Sequence, residues 1–576
     1  MGKMPQVQEA DAPVADTNQM MSADARDHQL QKMATRELDI IVIGGGITGA
    51  GIVWDAALRG MDAGLIEMAD FASGTSSRST KLVHGGLRYL KQGAFKLVRE
   101  VGAERKLLHE RLPHLVEPIS MLLPIYRGGT YGYYMSAIGI AIYDHLADVS
   151  HTERRRMYRR KHTIELEPLL KHEGLRGAGL YTEYRTDDAR LTLEILKTAA
   201  ACGANVCNYA RVEDFLYKKG KAVGVHVVDM MSGERYTIYA RKIVNATGPW
   251  VDDLRQLDKS LDDKRLLLTK GVHLVVPHKR LPIRQAVYFD APDGRMIFAI
   301  PRSGKTYIGT TDTVYEGDRA NPMVTREDAD YLIDALNKVF STVGLQMADV
   351  EAAWAGLRPL IYEADKSPSE ISRRDEIFVS ESGLISIAGG KLTGFRRMAE
   401  KVVNLVAQQL EDETGVIYPP STTDRVKISS GVTGMGDKGM ERSRVGELHQ
   451  DVYSEFLERA AGRGIAADDA SGLWSRYGVN ADMILRYYDE DDSGERLMKA
   501  ELRYCVDHEM TVSAVDFLLR RTGWMLFDRA RAERLCSSVI HYMTDRFAWD
   551  DARIALEWSR LRLEWRMHTV QDGDDT

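Results

Sequence analysis

The segment Gly44-Gly45-Gly46-Ile47-Thr48-Gly49 has the clearest capacity for chemistry in this sequence. It follows an apolar run, Leu38 to Ile43, and opens a stretch that reads as a helix to about Arg59 with Gly60 as its stop. In a GxGxxG so placed, Gly44 permits the tight turn, Gly46 lets the backbone approach a pyrophosphate, and Gly49 lets the helix pack close to the strand. The helix N-terminus then offers unpaired amides to phosphates. Glu67 ends the next strand, Met61 to Ile66, 23 residues after Gly44, where a carboxylate accepts hydrogen bonds from an adenosine ribose. Together they predict a bound dinucleotide and disfavour a 2′-phosphate, which leaves FAD and NAD. Two small-residue turns favour FAD: Asn245-Ala246-Thr247-Gly248, and Ser386 to Gly390 followed by a helix start, each letting backbone pass close to a flat, extended cofactor.

Other motifs carry less. A second literal match, Gly434 to Gly439, sits in a polar stretch with no apolar strand before it and reads as a decoy. His109-Glu110 with His114 misses the HExxH spacing by one residue, and Pro113 interrupts the helical face that zinc needs. Four cysteines (Cys202, Cys207, Cys505, Cys536) contain no CxxC pair, so neither a metal site nor a disulfide framework is expected, and a reducing cytoplasm is the natural compartment.

The elements that must position these residues are mixed. Strand-like runs at Val223 to Val228, Lys242 to Asn245, Gly271 to Val276 and Ile385 to Ala388, and a hairpin at Arg295 to Thr311, make the middle of the chain α/β. After about Pro420 the segments read as helical, and Val512, Val515, Leu518 and Leu519 predict one buried helix face. The 576 residues are 44% apolar and 28% charged with a net charge of −7, which excludes wholesale disorder and a nucleic-acid-coated surface. Residues 1–37 read as a disordered tail. Gly128 to Tyr143 is uncharged but too short to span a bilayer, and six cations among Arg154, Arg155, Arg156, Arg159, Arg160 and Lys161 follow it. Such a pairing suits an anionic membrane surface; the competing reading is a core helix beside a solvated basic one.

The glycine loop with Asp55 and Arg59, Ser76-Ser77 through Lys81-Leu82-Val83-His84-Gly85-Gly86-Leu87-Arg88-Tyr89-Leu90, Asn245 to Trp250, Gly309 to Asp312, Gly356-Leu357-Arg358-Pro359 and Gly389-Gly390-Lys391-Leu392-Thr393 together resemble the FAD-dependent glycerol-3-phosphate dehydrogenases. The likeness runs from about Leu38 to Leu410 and more loosely beyond. Two positions depart from the family pattern: Val53 for Ala, and Phe395 for a Tyr whose hydroxyl could bond near the flavin.

The resemblance implies a Rossmann-like FAD-binding domain of the D-amino-acid-oxidase/glutathione-reductase type (38–120, 185–258 and 355–412). It adds a mixed-sheet substrate domain (121–184 and 259–354), a linker (413–440) and a helical C-terminal domain (441–570). It implies oxidation of sn-glycerol 3-phosphate to dihydroxyacetone phosphate, with electrons passed to a membrane quinone. An oxygen-dependent glycerol-3-phosphate oxidase producing hydrogen peroxide is the alternative. Residues carried over to the cofactor are Gly44, Gly46, Thr48, Gly49, Glu67, Ser76, Ser77, Lys81, Leu82, His84, Gly86, Val212, Gly248, Trp250, Asp312, Gly390, Lys391, Leu392 and Thr393. Arg88, Tyr89, Arg358, Arg373 and Lys391 are carried over to the substrate, with Arg88 and Arg373 holding phosphate and Arg358 near the C2 oxygen. A base that is neutral near pH 7 points to His273 or His84. The protein would then sit peripherally on the inner face of the cytoplasmic membrane, with no nucleic-acid partner. A homodimer is one arrangement its helical appendage could serve.

Overall fold

Strand β1 (Leu38–Ile43) is apolar almost throughout and buried on both faces, the condition of a central strand in a parallel sheet. It runs parallel to β2 (Ala63–Ile66) on one side and β10 (Arg235–Asn245) on the other. β7 (Asn205–Cys207) extends the sheet beyond β2, and β19 (Ile385–Gly389) with antiparallel β18 (Asp375–Val379) extends it beyond β10. An antiparallel pair, β8 (Ala210–Lys218) and β9 (Lys221–Asp229), joins through β10. The computed structural model describes residues 20–85, 95–129, 132–146, 154–362, 375–431 and 442–571, without the side chains of His145 and residues 442–446.

Helix α1 (Arg26–Ala34) stands within the stretch expected to be a tail. Its sequence is too polar to announce itself. Leu30 and Met33 are nonetheless fully buried, and the Arg26 guanidinium bonds Asp229 and the carbonyls of Asn208 and Tyr209. Helix α2 (Ile47–Leu58) follows the glycine loop as expected, and Gly60 ends it at φ +84°.

The second sheet contains β3 (Leu82–Val83), β4 (Glu117–Tyr126), β5 (Arg156–Arg159), β6 (Leu175–Arg185), β11 (Leu266–Pro277), β12 (Ala286–Asp290), β13 (Met296–Arg302), β14 (Lys305–Gly309), β15 (Thr313–Val314) and β17 (Ala352–Ile361). β13 and β14 form the hairpin foreseen at Arg295 to Thr311. This sheet starts before residue 121 and runs past 354, so Arg358 belongs to it by register rather than to the first sheet. Helices α3 (Phe95–Arg111), α4 (Tyr133–Leu146), α5 (Arg160–Leu166), α6 (Asp188–Ala201), α7 (Val251–Leu257) and α8 (Arg326–Val339) connect the strands.

Helix α9 (Phe395–Thr414) packs on α2. Phe395 is fully buried, and a β-carbon at Gly51 would stand 2.8 Å from its ring. The Tyr-to-Phe departure therefore falls in this helix seam. Residues 415–431 form no helix or strand. The C-terminal region contains α10 (Arg442–Ala461), α11 (Ala467–Tyr477), α12 (Ala481–Glu490), α13 (Arg496–His508), a π-helical turn (Asp516–Arg521), α14 (Trp524–Phe527), α15 (Arg529–Phe547) and α16 (Asp551–Met567). It is not wholly helical, because β20 (Val570–Gln571) pairs with β16 (Val324–Thr325) beside the second sheet. The π turn is buried all round rather than on the one face that spacing suggested. Among the described residues no helix is long and apolar enough to cross a membrane.

Candidate active site

The glycine loop is shaped by close approach. A β-carbon at Gly49 would lie 1.9 Å from the Gly44 carbonyl oxygen, and one at Gly44 would lie 2.6 Å from that of Ala246. Only glycine lets α2 start against β1 while the Asn245 turn crosses the loop. Ile47 N–H donates to Ser76 Oγ at 2.9 Å, and Gly45 N–H donates to Glu67 Oε2 at 2.7 Å. Burial pushes the Glu67 carboxyl up, against the pull of the Ala69 and Gly45 amides.

This loop forms one wall of a cavity open to solvent, and the second sheet forms the opposite wall. Gly44, Gly46, Thr48, Glu67, Ser76, Leu82, His84, Val212, Gly248, Trp250, Gly390, Lys391, Leu392, Thr393, His273 and Arg358 all line it. The cavity therefore joins a dinucleotide loop to the cation and imidazole singled out from sequence.

The second-sheet wall follows from strand register. His273 is opposite Trp354, Gly271 opposite Gly356, and Thr269 opposite Arg358, so alternate residues of β11 and β17 share one face. Glycines clear that face. A β-carbon at Gly271 would stand 2.2 Å from Arg358 Nη2, and one at Gly309 2.1 Å from His273 Cδ2. The Arg358 guanidinium donates to Thr311 O (3.1 Å), Asp312 Oδ1 (3.2 Å) and Thr310 Oγ1 (2.9 Å), which fixes its plane. The His273 ring stacks on Trp354, centroids 4.6 Å apart and 9° from parallel, with Nε2 2.9 Å from Thr80 Oγ1. Burial, then the Arg358 and Lys81 cations, hold His273 well below the usual histidine range. Its imidazole is neutral near pH 7, as a base must be.

Four expected contacts are not in the cavity wall. Gly49 serves helix packing. Lys81 is buried away from the cavity, its ammonium 2.6 Å from Asp188 Oδ1 and 2.9 Å from Ser77 O. Ser77 turns toward Gly74 O, and Asp312 sits behind Arg358 as its ion-pair partner. Gly86, Arg88, Tyr89 and Arg373 lie outside the described residues. Nor do the histidines of the near-HExxH converge: His109 Nδ1 faces Val116 O, and His114 Nε2 faces Ser430 Oγ.

Sequence reading missed Thr80, Arg78, Arg211 and Trp354. The first three line the cavity, and Trp354 backs it. Period-two alternation through Trp354, Gly356 and Arg358 was the signal for the tryptophan. Nothing local marks Arg211.

The residues present, with backbone cleared by glycine along the cavity, would fit an extended dinucleotide. Residues 39–396 match the family model described as FAD dependent oxidoreductase, and residues 421–554 match that described as the C-terminal domain of alpha-glycerophosphate oxidase. The aerobic glycerol-3-phosphate dehydrogenase of Bacillus subtilis (strain 168) is 49% identical over 540 residues, 93% of this chain and 96% of that protein. The protein of the same description from Staphylococcus aureus (strain MRSA252) is 48% identical over 543 residues, 93% of this chain and 95% of its own. The glycerol-3-phosphate dehydrogenase of Bacillus halodurans, solved in complex with FAD, superposes with a TM-score of 0.82 at 44% identity, covering 96% of this chain and 99% of that one. L-alpha-glycerophosphate oxidase of Mycoplasma pneumoniae shares the fold at a TM-score of 0.52 and 16% identity, over 67% of this chain and 97% of its own. The cofactor is FAD, and the chain belongs to the FAD-dependent glycerol-3-phosphate dehydrogenase family.

Proposed function

We propose that this protein oxidises sn-glycerol 3-phosphate at C2 to dihydroxyacetone phosphate and passes the electrons to a membrane quinone. The observation that carries the reading is the placing of Arg358 and neutral His273 on one cleared sheet face, inside the cavity that the glycine loop bounds. Bound FAD supplies the acceptor for the C2 hydride. The His273 imidazole, neutral near pH 7 and with Nε2 2.9 Å from Thr80 Oγ1, is the group assigned to take up the C2 hydroxyl proton. The Arg358 fork, held by its three oxygen partners, is oriented to stabilise charge developing on the C2 oxygen. The family resemblance gives phosphate to Arg88 and Arg373, since paired guanidinium bonds suit a near-dianion.

Helix α4 supports a membrane-held acceptor. Tyr134, Met135 and Ile138 are 76%, 67% and 54% exposed, an apolar stripe on one helix. Beside it β5 begins the basic segment, with Arg154, Arg156, Arg159, Arg160 and Lys161 exposed, and Arg155 is tied back to Asp144 of α4 at 3.7 Å. Apolar side chains flanked by cations suit the headgroup boundary of an anionic bilayer, which supports the reading of a protein held peripherally on the inner face of the cytoplasmic membrane.

The test is anaerobic reduction of the holoenzyme by glycerol 3-phosphate, followed by reoxidation with quinone carried in anionic vesicles or with oxygen. Reoxidation by the vesicles should outrun oxygen, and Ile138→Asp should slow the vesicle arm and leave reduction unchanged. Faster reoxidation by oxygen, with stoichiometric hydrogen peroxide, would assign the oxidase reaction instead.

A further inference from the structure

Between β2 and the turn at Thr75–Ser77 runs a loop that holds Gly45, the middle of the glycine motif, at both its polar groups. Gly45 N–H donates to Glu67 Oε2 at 2.7 Å, and Ala72 N–H donates to Gly45 O at 3.0 Å. Phe71 closes the space beside it, since a β-carbon at Gly45 would lie 2.8 Å from its ring. The shape of the cofactor wall thus depends on where this loop sits.

Asp70, in the middle of the loop, is fully buried and does not line the cavity. Its carboxylate accepts from Arg521 Nη1 (2.6 Å) and Nη2 (2.9 Å), Arg520 Nε (2.5 Å) and Asn208 Nδ2 (3.2 Å). Both arginines belong to the π turn of the C-terminal region, 450 and 451 residues away in the chain. The same turn reaches the loop by a second route: Asp516 accepts from Tyr209 OH at 2.7 Å, and Tyr209 N–H donates to Ala69 O at 2.8 Å. A carboxylate with paired guanidinium bonds in a dry site has few alternative positions, so the loop is pinned from outside its own sheet.

We propose that Asp70, gripped by Arg520 and Arg521, is a positioning residue for FAD, so that the C-terminal helical region sets cofactor affinity without touching the cofactor. By linkage, the coupling runs both ways: FAD must tighten the grip by the factor that the grip tightens FAD. The competing explanation is a clamp that merely docks the C-terminal region. Arg529 of α15, whose Nη1 donates to the Glu351 carbonyl at 2.9 Å beside the second sheet, is such a clamp and is hydrogen-bonded to neither the loop nor the π turn.

The test measures FAD dissociation constants on the deflavinated full chain by flavin fluorescence, with melting temperatures alongside. Asp70→Asn and Arg521→Lys should weaken FAD roughly tenfold or more, as loss of an outer-shell partner does. Arg529→Ala should lower the melting temperature yet keep FAD affinity within about threefold, well inside the roughly tenfold effect an outer-shell partner carries. On the unmodified apo-protein, FAD should slow amide exchange at 516–522 and leave 481–490 unchanged, a readout that stands even where a variant does not fold. Unchanged affinity in the Asp70 and Arg521 variants, equal weakening in all three, or no effect of FAD on exchange at 516–522 would overturn the proposal. None of these readouts involves substrate, so their failure is distinguishable from failure of the proposed reaction.

Discussion

The role proposed for Arg358 depends on the absence of side chains around it. Gly271→Ala would place a methyl 2.2 Å from Nη2 and push the guanidinium out of its three-oxygen cradle. Arg358→Lys keeps the charge and loses the fork. Both variants should reduce flavin with glycerol 3-phosphate about a hundredfold more slowly while the protein stays yellow, the cost of losing one preorganised donor. Unchanged rates would remove Arg358 from the chemistry. Arginine at 358 was readable from motif resemblance, but the cleared face it occupies was not, because it arises from register between β11 and β17, which are far apart in sequence. Lys81 shows the converse. Its place in a recognised motif suggested a cofactor contact, whereas burial commits it to Asp188.

Among the elements, local signals were legible and long-range ones were not. The strand, glycine turn, helix and strand from Leu38 to Ile66 can be read from period and punctuation, because each signal lies within a few residues of the next. Helix α1 could not, since its stability comes from Arg26 reaching Asp229 across the sheet. The seam joining α3, α10 and α11 was also hidden. There His114 packs at 6.4 Å from the His449 ring and 6.3 Å from that of Trp474. Burial, then the His449, Arg190 and Lys197 cations, lowers His114 to about 3. Below the ordinary histidine value of about 6.5 the unfolded chain takes up a proton that the folded chain refuses, so stability falls with pH across that window. Between pH 6.5 and 5 the loss is about 2 kcal/mol at this site. Denaturant melts should show His114→Gln less acid-sensitive by that amount, and an identical slope in parent and variant would refute the assignment.

At the scale of the whole molecule, two sheets face each other across one cavity, and a helical region locks the result. The first sheet brings the dinucleotide loop, and the second brings a cation and a neutral imidazole. The helical region reaches back through Asp70, a contact that sequence order conceals. Motif order gave the family. On the proposed function the meeting of the sheets decides the substrate, and this is most directly tested by anaerobic mixing of the holoenzyme with sn-glycerol 3-phosphate, glycerol or a D-amino acid at equal concentration, following the visible flavin absorbance. Rapid bleaching by the phosphorylated triol alone is expected. A flavin that stays oxidised with glycerol 3-phosphate, or bleaches as fast with an unphosphorylated or amino substrate, would contradict the account.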